Sequence, residues 1–177
     1  VVNDRVADAM VVCEPSENAI ITAHMGFVFF EISVTGKALH SGYKWKGVNA
    51  IEKAIKIIDG LNELEHEWLM EYKHPLLPPP TLNIGVIEGG TAGSTVPDHC
   101  TFKICVHYLP KLMDHDGVVE SVLKRIDVVS DGDEWLKTNK PEVNIYQAGG
   151  AFEQDVEHDF VKTAKKALEN YQEEVNI

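Results

Sequence analysis

No run of apolar residues in this chain reaches the eighteen or so that a membrane-spanning helix needs. Basic residues are also in short supply. Lys and Arg number 16 against 28 Asp and Glu, for a net charge of -12, which argues against nucleic acid and anionic membrane surfaces as partners. Cysteine is scarce and odd in number. Cys13, Cys100 and Cys105 do not make a disulfide framework, and a reducing, cytoplasmic compartment is expected. Strong metal signatures are missing too: there is no HExxH and no CxxC, and the eight histidines are scattered. No secretory pattern, internal repeat or low-complexity segment is visible. The first residue is not methionine, so the chain is expected to be a piece of a longer protein.

What remains is a clear alternation of elements. "GFVFFEISVTGK" alternates, with Val28, Phe30, Ile32 and Val34 on one side and Phe27, Phe29 and Glu31 on the other, as a half-buried strand does. "GVNAIEKAIKIIDGLNELEHEWLMEY" repeats apolar residues at three and four. Val48, Ile51, Ile55, Ile58, Leu61, Leu64 and Trp68 give a long amphipathic helix, which Gly60 interrupts at a cost of roughly 1 kcal/mol relative to alanine. "HPLLPPP" is a stiff connector. "TLNIGVIEGG" is a second strand, with Leu82, Ile84 and Val86 on one face, and "CTFKICVHYLP" a third. The turn-rich link between them suggests an antiparallel pair.

"DHDGVVESVLKRIDVV" opens with acids suited to a helix N-terminus and carries Val118, Val119, Val122, Leu123 and Ile126 as its apolar face. "PEVNIYQ" is a short fourth strand. "HDFVKTAKKALENYQEE" is a final helix, with Phe160, Val161, Ala164, Ala167, Leu168 and Tyr171 inward. The middle order is strand, helix, strand, strand, helix, strand. This is the α+β, ferredoxin-like βαββαβ arrangement: a four-stranded antiparallel sheet with two helices on one face. Strand 81–88 or strand 142–147 should lie outermost. The other sheet face, carrying Phe27 and Phe29, needs a cover.

Two places could hold chemistry. In "VVCEPSENA", Glu14 sits where a strand-like run meets a proline; read alone, it is a solvated turn carboxylate. The second place is the set formed by "GKALHSG", "GGTAGSTVPD" and His107. Its glycines allow turns or close approach to a ligand, and His40 read alone is an exposed loop histidine.

"EPS" at 14–16, "HMGFVFFEISVTGKALHSGYKWKGVNAI" at 24–51 and "GVIEGGTAGSTVPDHC" at 85–100 together resemble the co-catalytic zinc aminoacylase and peptidase family. Its members include acetylornithine deacetylase, succinyl-diaminopimelate desuccinylase and glutamate carboxypeptidase. The resemblance implies a lid or dimerisation domain over residues 24–147. Residues 1–23 would be a fringe of the zinc catalytic domain, and residues 148–177 a return segment and helix towards it.

The resemblance also implies roles. Glu14 matches a zinc ligand. His40 matches a histidine that crosses a homodimer interface to stabilise the oxyanion in the partner's active site, where losing such a donor costs on the order of 3 kcal/mol. Ser94 and His107 fall where many members carry Asn and Arg for substrate binding. His lacks the fixed bidentate charge of Arg. The implied substrate is a small N-acyl amino acid or peptide, with two zinc ions in the full-length enzyme. Other ligands of that site have no counterpart here, so the fragment alone is expected to be inactive. The alternative is a non-catalytic ferredoxin-like module for ligand sensing or self-association.

Overall fold

The computed structural model describes residues 8–172 and 175–177. In chain order the elements are β1 (Ala23–His24), β2 (Gly26–Thr35), β3 (Leu39–His40), a 3₁₀ helix (Ser41–Lys46), α1 (Ala50–Glu71), β4 (Thr81–Gly89), β5 (Thr95–Val96), β6 (His99–Tyr108), α2 (His115–Asp131), β7 (Glu142–Gly149), β8 (Phe152–Glu153) and α3 (Asp159–Leu168). The chain divides into two compact units: Met25–Ala151, and the residues up to His24 together with 152–177.

The larger unit is the expected ferredoxin-like fold. Its antiparallel sheet runs β4-β6-β2-β7, which puts β4 and β7 at the edges. The β2–β6 ladder is unbroken from Gly26↔Tyr108 to Thr35↔His99. Val28, Phe30, Ile32 and Val34 from β2 and Phe102, Ile104 and Val106 from β6 are buried beneath the two helices. Strict alternation on paired central strands is what sends one set of side chains into a single core.

The inward stripe of α1 differs from the expected one. Ala50, Ala54, Ile57, Leu61, Leu64 and Trp68 are buried, in alternating steps of four and three. Ile55 is 46% exposed. Alanines at 50 and 54 let the helix lie close to the sheet, so the large isoleucine is left outside the seam. Val48 is not helical; it bridges to Lys37, and the Asn49 side chain caps α1 by accepting the Glu52 N–H at 3.1 Å. Gly60 is where α2 crosses: a Cβ there would stand 2.5 Å from Val129 Cγ2. On α2, Val118, Val122 and Ile126 are buried, while Leu123 turns outward.

In β4 the alternation breaks at Gly85. A bulge between Ile84 and Val86 pairs Val86 with Lys103 and Ile87 with Phe102. Val86 therefore lies on the face opposite Ile84, correcting the expectation that they share one. β7 has its own irregularity opposite Phe29 and Phe30.

Asp133, buried just after α2, ties that segment to α1. Its carboxylate accepts from Lys53 Nζ at 2.8 and 2.9 Å, from Lys56 Nζ at 2.6 Å, and from the N–H groups of Trp135 and Leu136. Burial pushes this carboxyl's pKa up, but the two lysines and two backbone donors outweigh it and hold the group well below the usual range.

In the smaller unit, β1 and β8 pair and Ile20 N–H donates to the Asn176 carbonyl. Helix α3 ends at Leu168, earlier than expected. Val161 is its buried residue; Phe160 is partly exposed and Tyr171, beyond the helix end, is 89% exposed. Residues 1–7 of the expected N-terminal fringe and residues 173–174 of the expected helix lie outside the described residues.

Candidate functional site

The loop after β2 does not hang free. Its base is closed by Gly36 N–H donating to the Asp98 carbonyl at 2.7 Å and Ala50 N–H to the Pro97 carbonyl at 2.9 Å. A side chain at Gly36 would collide with the Val48 carbonyl oxygen, 2.3 Å away. The tip is pinned as well. His40 pairs with Thr95 and Leu39 with Val96, and Ser41 N–H donates to the Ser94 carbonyl at 2.8 Å. Two expected site residues, His40 and Ser94, are thus brought together and both exposed. The two loops that the sequence groups together do meet, through a β3–β5 pairing of only two residues per strand.

The His40 ring has a defined polarity. Its Nδ1 accepts the Gly42 backbone N–H at 3.1 Å as the N-cap of the 3₁₀ helix. In the neutral ring of this exposed residue that leaves the proton, and so the donor, on Nε2. Ring-to-backbone bonds of this kind also occur at His74 and His158, so the bond alone marks a turn. The clamp to 94–96 is what distinguishes His40.

His107 lies elsewhere. It sits near the opposite end of β6, paired with Phe27 and Thr81. At about 3.4 Å per residue, the eight steps from His99 to His107 span roughly 27 Å of rigid ladder. The structure therefore separates His107 from the His40–Ser94 pair with which it was grouped. His107 is half-buried, and its ring stands 3.7 Å from Cys105 Sγ. Burial raises the thiol pKa of Cys105, and of Cys100 on the opposite face.

Glu14 belongs to the smaller unit. It is exposed, and its carbonyl accepts the Ser16 N–H at 2.8 Å in a turn that continues through left-handed Glu17 and Asn18. Among the described residues, no three His, Cys, Asp or Glu side chains gather into a metal-holding group. Among the described residues, no helix is long and apolar enough to cross a membrane.

Comparison with known proteins adds the following. The peptidase dimerisation domain family matches residues 22–134. An N-formyl-4-amino-5-aminomethyl-2-methylpyrimidine deformylase of Bacillus subtilis is 37% identical over 115 residues, covering 64% of this chain and 26% of that protein. An acetylornithine deacetylase of Vibrio atlanticus is 35% identical over 124 residues, covering 68% and 33%. Among solved structures, aminopeptidase PepT of Bacillus cereus superposes with a TM-score of 0.62 at 21% identity, over 90% of this chain and 39% of that one. A hydantoinase/carbamoylase family amidase of Burkholderia ambifaria gives 0.64 at 15% identity, over 90% and 36%. At these identities the structures speak to the fold. The chain spans about a third or less of the curated relatives it matches. With the β4-β6-β2-β7 sheet under two helices and the match over 22–134, this chain belongs to the peptidase dimerisation domain family.

Proposed function

We propose that this chain is the lid and dimerisation domain of a cytoplasmic, zinc-dependent hydrolase that removes an acyl group from an N-acyl amino acid or cleaves a small peptide, most like acetylornithine deacetylase. Residues 24–147 form the lid, while residues 1–23 and 148–177 lead to a catalytic domain that holds the two zinc ions. Glu14 supplies one ligand there. Breaks in contact at 24/25 and 151/152 support that division.

The observation that carries the reading is the clamped, exposed His40, whose Nδ1 accepts the Gly42 N–H and so leaves Nε2 as the donor of the neutral ring. As an amide carbon becomes tetrahedral, its oxygen gains negative charge, and a pre-positioned donor stabilises that charge. The β2–β6 ladder, roughly 27 Å long from His99 to His107, separates the His107 end from the loops that carry His40. Each chain thus offers His40, with Ser94 beside it, to its homodimer partner's site, and His107 to the substrate in its own. Self-association would use the β4 edge, where Val86 and Ile87 are exposed, together with the neighbouring helix α1, whose Ile55 is also exposed.

A second substrate reading is favoured by His107. An N-acyl amino acid presents a carboxylate, which a half-buried histidine beside a thiol is poorly built to grip. The Bacillus subtilis relative acts, by its name, on an N-formyl aminomethylpyrimidine, which presents a heteroaromatic ring instead. The test is to express the full-length protein with zinc and screen N-acetyl, N-succinyl and N-formyl amines and dipeptides. Turnover of none of them overturns the hydrolase reading.

A further inference from the structure

The sheet face away from the helices is not uniformly polar. At its His107 end the rings of Phe27 and Phe29 meet edge-on, with centroids 5.6 Å apart at 73°. Phe29 in turn contacts Tyr146 of β7, centroids again 5.6 Å apart. The ring of Phe27 lies down over β7: a Cβ at Gly149 would stand 2.5 Å from it. Glycine at 149 is thus what lets the ring lie flat on the sheet. The result is a floor of three aromatic side chains across two strands.

Fixed charge reaches this floor as a neutralised pair. The open-face ladder positions at this end are Phe27, Phe29, Cys105, His107, Thr81, Asn83, Gln147 and Gly149, with no Asp, Glu, Lys or Arg among them. The nearest fixed charges, Glu31 and Lys103, neutralise each other at 2.8 Å, and Lys103 also lies over the Tyr146 ring at 5.3 Å. The rim carries hydrogen-bonding groups: the His107 ring, the Asn83 amide and the Thr81 hydroxyl. An aromatic floor with a few polar groups on one side is the usual make-up of a small-molecule subsite. Its neutrality gives nothing to a carboxylate, while the π-faces favour another flat ring.

We infer that Phe27, Phe29 and Tyr146, with His107 at their margin, form a subsite for a planar, uncharged aromatic ring of the substrate. This deepens the reading of His107 as a substrate contact and rests on it for the site's location. The subsite selects by shape and by the pairing of the charges beside it.

The test uses the full-length protein and three matched probes: benzamide, benzoate and cyclohexanecarboxamide. Binding is followed by calorimetry and by shifts of the Phe and Tyr ring protons. Benzamide should bind at least tenfold tighter than either of the others. Phe29→Ala and the more exposed Tyr146→Ala should each abolish that preference, and His107→Arg should turn it towards benzoate. Benzoate binding as tightly as benzamide in the unaltered protein, failure of benzamide to bind, or both alanine variants retaining the preference would overturn the inference. Because no turnover is measured, this result stands apart from the substrate screen. An active hydrolase that prefers benzoate sinks the subsite alone; selective benzamide binding by an inactive protein sinks the hydrolase reading alone.

Discussion

Gly60 of α1 and Val129 of α2 meet so closely that one methyl group would not fit between them: an added Cβ would lie 2.5 Å from Val129 Cγ2. Arg125 closes the same crossing by donating from Nη1 to the Gly60 carbonyl at 3.2 Å and from Nη2 to Glu67. That bond holds the Glu67 carboxyl pKa below its ordinary value. Alanine at 60 would gain about 1 kcal/mol of helix propensity, but overpacking costs about 1–3 kcal/mol, and valine is stiff at χ1 within a helix. Gly60→Ala is expected to lower stability to urea. The Gly60→Ala/Val129→Ala double variant should be more stable than Gly60→Ala alone, and the reverse order would refute the packing argument.

Asp133 makes the fold sensitive to acid. Its folded pKa lies below the unfolded value of about 3.9. Its contribution is therefore full above that unfolded value and is lost as pH falls from there through the folded pKa. Asp133→Asn should cost about 3 kcal/mol at neutral pH, because Lys53 and Lys56 lose their partner. It should also flatten the loss of stability below about pH 4. Urea titrations at pH 7 and pH 3 check both statements.

His40→Ala in the full-length enzyme should reduce kcat by about 10²–10³-fold while leaving the dimer intact. The stronger check mixes two inactive proteins, His40→Ala and Glu14→Ala. If His40 serves the partner's site, subunit exchange restores about a quarter of normal activity, since half the dimers are mixed and each has one complete site. No recovery after exchange is the contrary outcome.

A charge on the β4 edge should weaken self-association. Ile87→Lys is expected to raise the dimer dissociation constant at least about tenfold, or about 1.4 kcal/mol. Tyr146→Lys on the opposite edge should leave it unchanged. Sedimentation over a dilution series distinguishes the two edges.

Thiol labelling at neutral pH should modify Cys13 first. It is exposed, whereas burial raises the pKa of Cys100 and Cys105 and reduces their thiolate fraction. Mass spectrometry of the labelled peptides gives the order.

The sheet and its helices were legible because β2 and β6 alternate without a break, and such strands pair in one register only. Harder cases turned on small residues. Counting large apolar side chains put Ile55 inward, but Ala50 and Ala54 define the seam. Gly85 introduces an extra residue that alternation alone does not announce, so Val86 was assigned to the other face. His40 and Ser94 were individually visible. Their meeting depends on a two-residue strand pair and backbone bonds across more than fifty residues, which leave no periodic trace. Asp133 went unnoticed because its partners, Lys53 and Lys56, lie a whole domain away in sequence.

The irregularities in β4 and β7 have a further consequence. A four-stranded sheet with two free edges is a building block for an endless ribbon, each copy adding to the next. Here both outer strands break step with their inner neighbours, while the central β2–β6 ladder stays regular. A second copy can align with only a short straight stretch of either edge before the bulge turns the backbone away. Growth along the sheet is thereby cut short.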